Sequence, residues 1–274
     1  MKRLLLFALL LIVLSSGRAQ DSRTTNFPKK STPVKAIPAK QDVWVFILAG
    51  QSNMAGRGLV EPEDTIINTR ILSIDAGGNL IYAQEPLHFY EPTMTGLDCG
   101  VAFGRTLLKT LPRSVSVLII PAAVGGSSIE QWLGDSTYRN VRLLTNFREK
   151  VAIGRKYGII KGVLWHQGES DANKKNIPFY ADRLRTLFTL FRSTIQNSTL
   201  PILLGELGSY SAAKEDWNSI NQAIRKYSAG DPYTAVIPTG DFQDKGDHIH
   251  FNSQGQRELG QRFATAYIEL MKNK

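Results

Sequence analysis

Apolar residues run without interruption over positions 43–49 and stop at Gly50, then recur over 115–120, 159–165, 201–207 and, more weakly, 234–237. Runs of this length without polar alternation predict strands buried on both faces of a parallel sheet. Between them, apolar positions repeat with helical spacing over 101–111, 141–157, 177–195, 212–227 and 253–271, with Ser253 as an N-cap. Strands alternating with helices predict an α/β fold, a parallel sheet covered on both faces. Residues 71–75, followed by Gly77-Gly78, read as a short extra strand or hairpin, and the rest of 61–98 as a long loop suited to shaping a substrate site. The chain shows no internal repeat and no second domain.

Two segments precede this pattern. Residues 1–19 have the form of a cleaved export signal: Lys2 and Arg3, eleven apolar residues from Leu4 to Leu14, then Gly17-Arg18-Ala19. Eleven apolar residues are too few for an ordinary membrane span, so no stable membrane insertion is expected after cleavage. Residues 20–40 are rich in Lys, Thr, Ser and Pro, and read as a flexible basic linker. The domain proper is 41–274. The formal net charge of +9 is concentrated ahead of it, because residues 1–40 hold eight Lys or Arg against one Asp. The remaining 25 basic and 23 acidic residues nearly cancel, so no nucleic-acid partner is expected. The single Cys99 forms no internal disulfide. With an export signal, this fits a periplasmic or secreted protein without a disulfide framework.

Three segments carry chemistry. Gly50-Gln51-Ser52-Asn53-Met54 follows the first strand, placing Ser52 at the C-terminal end of the sheet with its N–H at the start of a helix or turn. That suits a nucleophile whose own N–H helps bind an oxyanion. Gly56-Arg57-Gly58 lacks the further residues of a phosphate-binding loop. Asp247-His248-Ile249-His250 places an acid and an imidazole three residues apart, so Asp247 orients His250 as general base, with His248 as rival. A metal set of His166, His248, His250 and Asp247 is the competing reading of these histidines, but no His-Glu-x-x-His helix supports it. No metal and no cofactor is therefore expected. Gly125-Gly126-Ser127-Ser128 lets backbone N–H groups approach a ligand, and His166-Gln167-Gly168-Glu169 adds an amide donor, Gln167, and a second carboxylate, Glu169. Glu169 stands either near His250 or opposite Arg57. Gln51, Asn53, Trp132 and His166 are candidate substrate-binding residues, with Trp132 the best placed of the aromatics (Trp44, Phe89 and Tyr90 among them) to stack on a sugar.

Taken together, these motifs resemble the sialate O-acetylesterase-like branch of the SGNH hydrolases, which includes acetylxylan esterases of carbohydrate esterase family six. The resemblance runs from about residue 43 to 266. It implies a three-layer α/β/α sandwich of flavodoxin-like form, here with a five-stranded parallel sheet, and metal-free deacetylation of carbohydrate esters. It assigns Ser52 as nucleophile, and Asp247 and His250 as acid and base. Ser52, Gly126 (Gly125 as fallback) and Gln167 form the oxyanion hole, and Glu169 works beside or in place of Asp247. An acetylated carbohydrate, xylan-like or sialic acid, is the expected partner. The alternatives are a non-catalytic carbohydrate-binding protein on the same fold and a lipase or thioesterase using the same machinery. Neither the glycan nor the oligomeric state follows from the sequence.

Overall fold

The continuous apolar runs become the centre of a sheet in the computed structural model, which describes residues 21–272 and 274. The stretch read as an export signal, 1–19, lies outside the described residues. The strands are β1 (Val43–Gly50), β2 (Ile71–Ile74), β3 (Leu80–Tyr82), β4 (Ser116–Pro121), β5 (Thr137–Tyr138), β6 (Val141–Arg142), β7 (Ile159–His166), β8 (Ile202–Gly205) and β9 (Thr234–Ile237). The helices are α1 (Ser52–Ala55), α2 (Gly100–Leu107), α3 (Ile129–Leu133), α4 (Leu143–Tyr157), α5 (Tyr180–Ile195), α6 (Lys214–Ala229) and α7 (Ser253–Lys272).

The main sheet has seven strands in the order β3-β2-β4-β1-β7-β8-β9, not the five expected. The two additional strands, β2 and β3, pair antiparallel as a hairpin and extend the β4 edge, where β2 joins in parallel. The central pairs β4-β1-β7-β8-β9 are all parallel. Alternate residues of β1 serve the two faces. Val43, Val45, Ile47 and Ala49 pack with Phe147 and Val151 of α4, Phe188 of α5 and Ile220 of α6. Phe46 and Leu48 pack with Phe103 and Leu107 of α2 and Leu259 and Phe263 of α7. The result is the expected three-layer sandwich, and the two-sided core explains why these strands show no polar alternation.

Two boundaries differ from the periodic reading. α4 begins at Leu143 because Arg139 and Asn140 adopt left-handed conformations (φ 48° and 63°) that turn β5 back onto β6. Of residues 20–40, read as a flexible linker, the described part, 21–40, lies along the domain. Val34 N–H donates to Leu80 O (3.2 Å), Thr32 O accepts from Tyr82 N–H (2.9 Å), and Asn26 Nδ2 donates to Val60 O (2.9 Å). The open edge of β3 offers unpaired backbone groups, and pairing with them does not require apolar side chains.

The topology sets the site. β1 lies between β4 and β7, so the chain leaves it toward one edge and returns on its other side. The loops after β1, β4 and β7 therefore meet at the C-terminal ends of neighbouring strands, where such sheets place ligands.

Candidate active site

Ser52 opens α1 directly after β1, and its side chain meets a loop that comes from the far end of the chain. His250 Nε2 stands 3.0 Å from Ser52 Oγ, and His250 Nδ1 stands 2.7 Å from Asp247 Oδ2. The other Asp247 oxygen accepts the N–H groups of Ile249 (3.0 Å) and His250 (2.8 Å), so the carboxylate is fixed by the same turn that carries the imidazole. Burial alone would raise the Asp247 pKa, but the bonds from the His250 ring and the two N–H groups hold it well below the usual carboxylate range. An ionised Asp247 keeps the proton of His250 on Nδ1 and leaves Nε2 to accept from the serine. His248, the rival base, has a left-handed backbone (φ 58°) and an exposed ring turned toward Asp244.

The loop is held to Ser52 by the residue next to it. Asn53 Nδ2 donates to Ile249 O (3.1 Å) and Glu169 Oε1 (2.6 Å), and Asn53 Oδ1 accepts from Phe251 N–H (3.0 Å). It thus grips the residues on both sides of His250. Phe251 anchors the same turn from below, fully buried against the rings of His166, Tyr210 and Phe242. Asn53, expected to touch substrate, has its side-chain donors and acceptor committed to this clamp. Asn53→Ala is expected to lower kcat by about 10²-fold with KM little changed, because His250 loses its register with Ser52 rather than its chemistry. Steady-state kinetics beside a thermal melt check this.

The free donors on these loops come from backbone. Among the described residues, neither the Ser52 N–H nor the Gly126 N–H has an acceptor in the protein. The first is a first-turn helix N–H, which has no partner within the helix. Gly126 has φ +80°, and a Cβ there would meet the Tyr138 hydroxyl at 2.9 Å. Gly126, rather than Gly125, is therefore the available donor, since the Gly125 N–H is given to Glu91 Oε2 (2.6 Å).

Several expected site residues are instead scaffold. The Gln167 amide is fully buried and donates to Asp171 Oδ2 (2.7 Å), Gln51 Oε1 (3.0 Å) and Ser127 O (3.2 Å). Two amide hydrogens facing three acceptors leave none for an oxyanion. Gln51 Oε1 also faces the N–H groups of Gly168 and Ser170, so Gln51 ties the β1 and β7 loops together rather than binding substrate. His166 is fully buried with Nε2 on Glu206 O (2.9 Å), and burial pushes its pKa down against the opposing pull of Glu169. Trp132 is core: its Nε1 donates to Ser127 Oγ (2.9 Å) and its ring packs edge-on against Trp165. Trp44 lies at the opposite end of β1 from Ser52. Glu169 contacts neither His250 nor Arg57; it holds Asn53, and Arg57 pairs with Glu91 (2.9 Å). The proposed metal set is not assembled, and among the described residues no three His, Cys, Asp or Glu side chains converge on a common point.

Other residues were not legible as parts of the site. Ser170 Oγ donates to Gly126 O (3.0 Å), and Asp171 Oδ2 accepts the first N–H of α3 at Ile129 (2.8 Å). Asp171 thus caps a helix some forty positions earlier in the chain. Only Ser170 and Asp171 lying next to Glu169 in sequence pointed to them.

A serine, imidazole and carboxylate in line at the C-terminal edge of an α/β/α sheet, with free backbone N–H groups on the adjoining loops after β1 and β4, define an ester hydrolase-like site. The chain belongs to the family described as carbohydrate esterase, sialic acid-specific acetylesterase, whose profile matches residues 42–269. The protein is accordingly a carboxylic ester hydrolase of the carbohydrate esterase class. It is 28% identical over 251 residues to a probable carbohydrate esterase of Arabidopsis thaliana, spanning 85% of this chain and 92% of the relative. A solved Arabidopsis thaliana structure superposes with a TM-score of 0.73 at 27% identity, covering 82% of this chain and 98% of that one. A carbohydrate acetylesterase from Xanthomonas citri shares the fold with a TM-score of 0.65 at 20% identity, over 85% of this chain and 57% of the other.

Proposed function

We propose that the protein removes acetyl groups from acetylated sugars or polysaccharides through an acetyl-enzyme on Ser52, without a metal. The observation that carries this reading is the continuous chain Ser52 Oγ, His250 Nε2, His250 Nδ1, Asp247 Oδ2, with links of 3.0 and 2.7 Å. His250 takes the Ser52 proton as Oγ attacks the acetyl carbonyl. The developing oxyanion is received by the N–H groups of Ser52 and Gly126. His250 then returns the proton to the departing sugar oxygen, and water repeats the sequence against the acetyl-enzyme, releasing acetate. The export-signal pattern at residues 1–19 supports, in this reading, a periplasmic or secreted enzyme. Family membership and the Xanthomonas citri relative's description support acetyl carbohydrate as the substrate class.

The test is acetate release from acetylated xylan and from O-acetylated sialic acid, with and without EDTA, beside mass spectrometry of the enzyme quenched during turnover. Chelator-resistant release with one acetyl group on the Ser52 peptide is the expected result. Release abolished by EDTA would overturn the metal-free mechanism, and release undiminished in Ser52→Ala would overturn the covalent one.

A further inference from the structure

Behind the glycine pair lies a buried ion cluster that the reaction itself does not use. Arg57 and Glu91 are almost fully buried, with side-chain exposures of 3% and 4%, and pair at 2.9 Å. Arg57 Nη1 also donates to Gly56 O (2.7 Å), four residues beyond Ser52. The Glu91 oxygen that meets Arg57 accepts the Gly125 N–H at 2.6 Å, while the other lies 3.0 Å from Arg139 Nη1. Arg139 sits at the tip of the β5-β6 hairpin over the ring of Tyr138, and it is Tyr138 whose hydroxyl approaches Gly126. Backbone and ion pair are in intimate contact: a Cβ on Gly125 would lie 2.1 Å from Arg57 Nη2 and 2.6 Å from Glu91 Oε2.

The consequence concerns one peptide group. The Gly126 N–H belongs to the peptide between Gly125 and Gly126, which has no protein partner of its own on that hydrogen. Its neighbours on both sides are anchored, Gly125 N–H by Glu91 and Gly126 O by Ser170 Oγ. Two glycines in succession are the most permissive backbone available, so without these anchors the N–H direction is poorly determined. An oxyanion donor is worth most when it needs no reorientation as charge develops.

We infer that Glu91 is a positioning residue that aims the Gly126 N–H at the oxyanion and links that loop to the hairpin bearing Tyr138. This rests on the esterase reading above. Removing Glu91 alone strands a buried Arg57, which risks the fold. The double variant Arg57→Met/Glu91→Leu leaves no lone buried charge, because Arg139, the other partner of Glu91, is 39% exposed to solvent. It is the main probe, with Glu91→Gln as the conservative companion that retains one acceptor for Gly125. Two readouts are needed: kcat and KM on 4-nitrophenyl acetate, and amide hydrogen exchange at Gly125 and Ser127.

For the double variant we expect kcat to fall about 10- to 100-fold with KM within about twofold, since the loss is confined to the transition state. Exchange at Gly125 and Ser127 should quicken at least about tenfold while the β1 and β7 amides keep their protection. Glu91→Gln should recover part of the kcat. Unchanged exchange at these two amides, or unchanged kcat with faster exchange, would overturn the inference. So would a loss of protection spread through the whole sheet, which marks simple destabilisation. If the wild type released no acetate or nitrophenol at all, the esterase reading would fail separately, and exchange alone would then decide whether Glu91 holds the loop.

Discussion

Ser52→Ala is expected to lower acetyl release by at least about 10⁴-fold, His250→Ala by a similar factor, and the double variant by little more than either alone. The two side chains act as one unit: the 3.0 Å contact between Oγ and Nε2 is the path by which the serine proton leaves. Once either end is gone, the other has nothing to act on. The backbone N–H groups of Ser52 and Gly126 survive in all three variants, so a residual rate above that of water should remain. Kinetics on acetylated xylan, with a melt to verify folding, measure this. Losses that multiply in the double variant would mean that Ser52 and His250 serve separate steps.

Asp247→Asn is expected to lower turnover by about 10³- to 10⁴-fold, whereas Glu169→Gln should change it less than about tenfold. The asymmetry follows from contact. Asp247 Oδ2 is 2.7 Å from His250 Nδ1, and an amide in its place no longer stabilises the imidazolium or reliably holds the tautomer. Glu169 reaches the His250 turn only through Asn53, which bonds the backbone on either side of the histidine, and a glutamine retains a carbonyl oxygen for the Asn53 donor. Equal losses in the two variants would make Glu169 a partner in the acid role. Asp247 also carries a pH signature. Its pKa is lower in the fold than its ordinary 3.8, so its contribution to stability is present above that value and disappears as pH falls through the lowered one. The melting difference between wild type and Asp247→Asn should therefore shrink as the medium is acidified below about pH 4. The carboxylate is partly exposed, which keeps this difference modest.

The residues of the site were unequally readable. Asp247 and His250 are three apart, and one turn suffices to join them, so their partnership is a local property. Ser52 is nearly two hundred residues from His250, yet its position after an apolar run already placed it at the reacting edge of the sheet. Gln167 failed as an oxyanion donor because its environment is assembled from Gln51, Ser127 and Asp171, three segments whose convergence no local pattern records. Trp132 failed for a related reason. An aromatic beside a glycine turn looks accessible, but the short α3 turns the ring inward onto Trp165. The role of Asn53 was misjudged in kind: a polar residue beside a nucleophile invites a substrate contact, while its amide in fact holds the histidine loop.

By itself, the amino-acid sequence determined the order of strands and helices, the two-sided burial of the sheet, and the serine, histidine and aspartate that end up in line. These follow from short-range rules: the length of an apolar run, the helical repeat, the reach of one turn. Only the tertiary structure decided how the β2-β3 hairpin extends the sheet, which carboxylate meets the imidazole, and which amides remain free to bind charge. Those outcomes depend on hydrogen-bond competition among buried groups. A buried donor is claimed by whichever acceptor the fold brings within 3 Å or so, and that neighbour is set by packing, not by position along the chain.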